Sequence, residues 1–186
     1  MGKAERVEMI PGTSARIYFL VSGKLKLIEQ NRLGEEKTIE LFNESAVFGE
    51  LSLKNLIEQS QTVVSLTNHT VVASLAIEDF RQLLQLYPDL SIQFVGLVHE
   101  KLKRLHDRHA ALMELDTKAR LLLFMKQWAV DEGSRQGESM VWKNYLTHRD
   151  IGDCISASRQ SVNSLLNELR MEGKLRYSRQ RIEWNI

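Results

Sequence analysis

The spacing of hydrophobic and polar positions changes along this chain and divides it into three stretches. From Val7 to Ile77 the pattern is that of strands. "ARIYFLVSGKLKLIEQ" is rich in β-branched and aromatic residues, with a turn expected at Gly23 and alternation resuming at Leu25 and Leu27. "NRLGEE" predicts a second turn at Gly34 and "KTIELF" a strand after it. "TVVSLTNHTVVASLAI" predicts two more strands, parted at Thr67-Asn68. Short strands at close spacing predict an antiparallel roll or barrel.

Residues 78–130 switch to helical period. "IEDFRQLLQLYPDL" predicts a short helix whose pattern is interrupted at Pro88. Beyond it, Val95, Val98, Leu102, Leu105, His109 and Leu112 follow a 3-4-3-4 spacing, the seam along which two helices meet. The alternative is an amphipathic helix lying on its own domain. In the first case His109 is a polar residue tolerated within the seam. "DTKARLLLFMKQWAV" then predicts a helix capped by Asp116. "DEGSRQGES", Asp131 to Ser139, reads as a loop and a candidate boundary.

The last stretch holds "THRDIGDCISASRQSVNSLLNELR", Thr147 to Arg170. Thr147 with Asp150 predicts a capping box, and Leu146 with Ile151 a hydrophobic staple. Ser156-Ala157-Ser158 should break that helix, with Ser158 capping the next. Val162, Leu165, Leu166 and Leu169 form the expected buried stripe. Gln160, Asn163, Ser164 and Asn167 then face outward, and Arg159 in the first turn can reach forward. "KLRYSRQRIEWNI" reads as a strand, a Ser178-Arg179-Gln180 turn and a strand, carrying Arg176, Arg179 and Arg181. Two helices parted by so short a turn predict a helix-turn-helix, whose second helix enters the major groove of DNA. There Arg grips a guanine edge and Asn or Gln an adenine edge, while arginines around them attract phosphates. A small helical subdomain with a polar face is the alternative.

Composition sharpens this picture modestly. The chain has 186 residues, 43% of them hydrophobic, and a net charge of +1. Residues 134–186 hold nine Lys/Arg against six Asp/Glu, leaving 16 against 18 in the remainder, so the basic bias falls on the helix-turn-helix. The single cysteine, Cys154, excludes an internal disulfide and four-cysteine metal or iron–sulfur sites. No apolar run approaches the ~18 residues of a membrane span. A cytoplasmic location without membrane association is therefore expected.

Taken together, these parts resemble the Crp/Fnr superfamily of bacterial transcription factors from about Val7 onward. "RIYFLVSGKLKLI" is similar to the family's strand–Gly–strand entry and "VFGELSL" to the segment closing its effector pocket. "LTHRDIGDCISASRQSVNSLLNELR" matches its DNA-reading motif. The resemblance implies an α+β fold. An N-terminal antiparallel β-roll, cyclic-nucleotide-binding-like and shortened at its start, would span 1–90. A dimerisation helix (91–115) and a C-terminal winged helix-turn-helix (116–186) would follow. It implies a homodimeric DNA-binding regulator acting on a palindrome and controlled through the roll, with double-stranded DNA as partner and RNA polymerase as a candidate one. Arg159, Gln160, Asn163 and Ser164 would read bases; Thr147, His148, Ser158, Arg176, Arg179 and Arg181 would hold phosphates. Control would act through the dimer helix and a hinge at Asp116. A turn residue is Ser156 where the family usually has Gly, which implies strain if φ is positive. The shortened start implies an open sheet edge or a wider pocket.

For the effector, the resemblance assigns Gly49, Glu50 and Leu51, then Ser60, Gln61, Lys101, Leu105 and His106. Cyclic-nucleotide-binding members place Arg-Ser where an ungapped count gives Ser60-Gln61, and a neutral pair cannot replace the guanidinium. A cyclic nucleotide held in the usual way is thus disfavoured, as is an iron–sulfur cluster. Haem would have to use His69, His99, His106, His109 or Met113, none in a recognisable pairing. "LFNESAVFGELSL" also resembles the nitrogen-control branch, whose effector is 2-oxoglutarate; the basic and acidic positions of that branch fall on Lys101 and His106. A related acid, or no effector at all, remains open. Two rival readings are a small-molecule sensor with weak or no DNA binding, and an enzyme using Glu50, Glu58 and His69, although no nucleophile motif or metal constellation accompanies them.

Overall fold

A computed structural model describes residues 1–9, 15–30, 34–53 and 61–185. The chain divides into two compact units, Met1–Asp107 and Arg108–Ile186. Among the described residues no helix is long and apolar enough to cross a membrane.

The first unit is the expected roll. Strands β1 (Arg6–Met9), β2 (Arg16–Ser22), β3 (Leu25–Gln30), β4 (Glu36–Phe42), β5 (Val47–Gly49), β6 (Gln61–Ser65) and β7 (Val71–Ala76) form two antiparallel sheets. Their orders are β1-β6-β3-β4 and β5-β2-β7. β1 lies ahead of the stretches that the alternation resolves. The inward positions Leu20, Leu25, Leu27, Phe42, Phe48 and Val63 fill the space between the sheets. Phe48 stacks on Tyr18 at 5.3 Å and on Phe42 at 4.9 Å. Gly23 takes φ +91°, and a Cβ there would lie 2.6 Å from Thr70 Oγ1, which is why this turn needs glycine.

Helix α1 (Ile77–Leu86) follows β7, and α2 (Pro88–Glu114) follows almost at once. Pro88 therefore opens the long helix, its missing N–H falling where no intrahelical partner exists. Ile17, Ile77, Phe80 and Phe94 build a second core that fastens both helices to the roll. Phe94 is the one buried residue of α2. Val95, Leu102 and Leu105 are 66%, 64% and 53% exposed, and Val98, His109 and Leu112 are exposed too. The apolar stripe of α2 is thus exposed along its length, where the alternative of an amphipathic helix lying on its own domain would have it covered.

In the second unit, α3 (Thr117–Glu132) starts at Asp116, whose carboxylate accepts from the Ala119 amide at 2.7 Å. Strands β8 (Ser134–Gln136) and β9 (Ser139–Lys143), helices α4 (His148–Ile155) and α5 (Arg159–Met171), and strands β10 (Leu175–Tyr177) and β11 (Arg181–Asn185) complete it. The sheet order is β10-β11-β9-β8. The Asp131–Ser139 stretch, expected as a loop, is instead largely the end of α3 and a hairpin turning at Gly137-Glu138, with Gly137 at φ +64°. All three residues of β8 are exposed, so no apolar alternation marks it; backbone pairing alone makes the strand. Trp128, Trp142, Trp184 and Tyr145 join α3 to the sheet, with ring centroids 5.3–6.4 Å apart. The Tyr145 hydroxyl donates to Glu132, and burial pushes this phenol far above its ordinary range.

Candidate nucleic-acid interface and effector region

The turn between α4 and α5 is fixed by local chemistry. Thr147 Oγ1 accepts from the Asp150 amide at 3.1 Å, and Asp150 accepts from the Thr147 amide at 2.9 Å, closing the capping box. Ser156 ends α4 at φ 54°, ψ 54°, so a serine carries the left-handed turn that glycine would take without strain. Gly152 permits the turn to close: its carbonyl accepts from the Ala157 amide at 2.8 Å, and a Cβ on it would sit 2.6 Å from the Ala157 oxygen. Ser158 Oγ then accepts from the Ser161 amide at 3.0 Å to start α5.

On α5, Val162, Leu166 and Leu169 are buried and Leu165 half-buried. Arg159, Gln160, Asn163, Ser164 and Asn167 are all exposed on the other side. His148, half-buried at the start of α4, lies 5.3 Å from the Tyr177 ring. Burial, and secondarily the Arg159 guanidinium, lower its pKa below the ordinary 6.5. His148 thus lies within electrostatic reach of Arg159, one an expected phosphate contact and the other an expected base reader. The hydroxyls of Thr147 and Ser158 serve as helix caps. Arg176, Arg179 and Arg181 are exposed on the β10–β11 hairpin. Arg176 and Arg181 flank Glu183 at 3.7 and 3.9 Å, and Arg181 also donates to Gln136 at 3.0 Å.

Pattern reading missed Glu183 as a partner of these arginines. It also missed Arg108 and Arg120, which donate to carbonyls at the end of α4. One signal was available for Arg120: a cation in the first turn of a helix sits at the wrong end of the helix dipole, which suggests partners elsewhere.

Among the effector candidates, Glu50, Gln61 and Lys101 are each engaged with a different partner. Gly49, at φ +91°, cannot take a Cβ, which would lie 2.6 Å from the Arg16 oxygen. Glu50 is buried and accepts from the Ser52 amide at 2.8 Å and from its hydroxyl. Leu51 is half-buried against the core that holds α1 and α2. Gln61 donates to Glu29 at 2.8 Å. Lys101 pairs with Glu40 at 2.6 Å and lies 5.4 Å above the Phe42 ring. Leu105 and His106 are exposed. Ser60 and Glu58 lie outside the described residues.

A roll followed by a long helix with an exposed apolar seam and a winged helix-turn-helix defines a two-part DNA-binding regulator. Comparison with known proteins agrees. Residues 10–87 match the model of the cyclic nucleotide-binding domain, and 119–185 that of the Crp-like helix-turn-helix domain. The global nitrogen regulator of Synechocystis sp. is 32% identical over 168 residues, covering 89% of this chain and 74% of that protein. A CRP-like cAMP-activated global transcriptional regulator of Mycobacterium tuberculosis is 27% identical over 165 residues, covering 86% and 73%. The fold matches the crystal structure of a CRP-family transcriptional regulator from Thermus thermophilus, with a TM-score of 0.80, 19% identity, and coverage of 100% of this chain and 91% of that one. The chain belongs to the Crp/Fnr family and is a sequence-specific DNA-binding transcription regulator, of a family whose members typically act as dimers.

Proposed function

We propose that α5 is the reading helix, with Arg159, Gln160, Asn163 and Ser164 facing base edges. His148, the α4 N-terminus and Arg176, Arg179 and Arg181 of the hairpin hold phosphates, with Thr147 and Ser158 presenting helix amides there. The observation that carries this is the two-sidedness of α5: aliphatic side chains buried, short hydrogen-bonding ones and Arg159 exposed. Joined along Val95–Leu112, two copies place their α5 helices about 34 Å apart, one turn of DNA, so the operator is an interrupted palindrome. Selection from a random duplex pool identifies it. Arg159→Ala then costs about 1–3 kcal/mol and relaxes preference at one base position per half-site. An equal loss on every duplex would overturn the base-reading role.

Control enters through the roll and reaches α2, with RNA polymerase as a downstream partner. Lys101 is the cation placed to meet an acidic effector, and such an effector must compete with Glu40 for it. The neutral Gln61, already bonded to Glu29, supplies no counter-charge for a cyclic phosphate. Native mass spectrometry of the purified dimer tests this through any retained small acid; a retained cyclic nucleotide would overturn it.

A further inference from the structure

Arg120 joins three elements through backbone carbonyls. Its Nη1 donates to the Leu115 oxygen at 2.7 Å, just past the end of α2. Its Nε donates to the Ile155 oxygen at 2.9 Å, at the C-terminus of α4. Nη2 is 3.4 Å from Thr117 Oγ1 and 3.5 Å from the oxygen of Ser156, the left-handed turn residue itself. One planar group thus spans the α2–α3 junction and the α4–α5 turn. Arg108, in the last turns of α2, adds a second bond to the same helix end, donating to the Asp153 oxygen at 2.9 Å.

The chemistry suits the location. The last carbonyls of a helix lack intrahelical donors and carry the negative end of the helix dipole, so a guanidinium there is favourable. A fork of fixed geometry also sets direction, which an ammonium on a flexible stem does not. We infer that Arg120 is a positioning residue for DNA reading: it ties the orientation of α5, through the α4–α5 turn, to the end of α2. Any rotation at Leu115–Asp116 is thereby delivered to the reading helix as a unit. This role rests on α5 being that helix.

The test uses full-length Arg120→Met and Arg120→Lys dimers on two duplexes: the palindrome selected with the wild-type protein, and a scrambled duplex of equal length. Arg120 spends its guanidinium on the Leu115, Ile155 and Ser156 carbonyls and the Thr117 hydroxyl, so its loss should spare non-specific binding. Arg120→Met is expected to lower the preference for the palindrome about tenfold, with affinity for the scrambled duplex and its salt dependence unchanged. Arg120→Lys keeps the charge but not the fork, and should lose about threefold. Trp128, Trp142 and Trp184 all lie in the unit that Arg120 braces, so near-ultraviolet dichroism reports whether that unit remains folded. Should Arg120→Met fail to fold, a folded Arg120→Lys decides: reduced preference supports the role and wild-type preference overturns it. Equal losses on both duplexes with a shallower salt slope would make Arg120 a phosphate contact and overturn the role. A discriminating wild type alongside an equally discriminating Arg120→Met would overturn this role alone. A wild type without preference would overturn the reading function of α5 and this role with it.

Discussion

In the C-terminal unit the polar side chains expected to meet a partner stand exposed on α5, while the hydroxyls and carbonyls around them are occupied in building the turn. In the first unit three of the polar side chains expected to meet a ligand are turned on their own unit: Glu50 on Ser52, Gln61 on Glu29, Lys101 on Glu40. The contrast is between a surface ready for a large rigid partner and a region that must exchange internal bonds before it can take a small one. A duplex adds contacts without displacing any on α5. An acid reaching Lys101 gains a cation only by separating it from Glu40, so its affinity is a difference of two ion pairings. On the proposed reading, a small acid has to outcompete the roll's own Glu40 for Lys101.

The largest effect is expected at the exposed apolar stripe of α2, the proposed seam between two copies. Leu102→Asp with Leu105→Asp places charge on the exposed stripe of α2 and should yield a monomer by sedimentation. Operator affinity then falls about 100-fold or more, since the second half-site no longer binds at high effective concentration. The Trp signal of the C-terminal unit should be unmoved. A mutant that stays dimeric would place the interface elsewhere.

The helix-turn-helix was legible in sequence because its determinants are local. Thr147 and Asp150 are three residues apart, as are Ser158 and Ser161, and each pair finds its partner within one helical turn. The left-handed Ser156 follows from the same capping logic. The apolar spacing of α2 was legible for a related reason: one helix carries all of it. Nothing in β8 announces a strand, because an exposed edge pairs by backbone alone. The engagements of the roll are less visible still. Lys101 and Glu40 are 61 positions apart, and Gln61 and Glu29 are 32 apart. No periodicity links such residues. Arg120 reaches from 3 to 36 positions along the chain to its four acceptors, and only three-dimensional closure shows that they converge.

A smaller effect distinguishes an inert ion pair from a ligand-competent one. Both side chains of the Lys101–Glu40 pair are about a quarter exposed, so Lys101→Met should cost the roll about 1 kcal/mol or less in denaturant unfolding. Operator binding without added ligand should be unchanged, because α5 and its supports belong to the other unit. Any activation by a small acid should be lost in this variant. If activation survives, the acid binds away from Lys101, and the internal pairing of the roll is structural only.

The smallest effect is also the one with opposite signs in two measurements. Burial and the neighbouring Arg159 hold His148 below its ordinary 6.5, so the ring is neutral in the free protein at pH 7. Unfolding restores the ordinary value; as the pH falls through it, the unfolded state binds the proton more readily and the C-terminal unit loses stability. A DNA phosphate beside the ring acts the other way, raising its pKa in the complex above that of the free protein, so binding takes up protons. Between about pH 7.5 and about 6, operator affinity should therefore rise a few-fold while the unfolding midpoint falls, and His148→Gln should flatten both slopes. If only the stability slope flattens, His148 is a buried ring beside Tyr177 with no phosphate near it. Flattening of both slopes would place the start of α4 against the DNA backbone, and with it the exposed face of α5 in the groove.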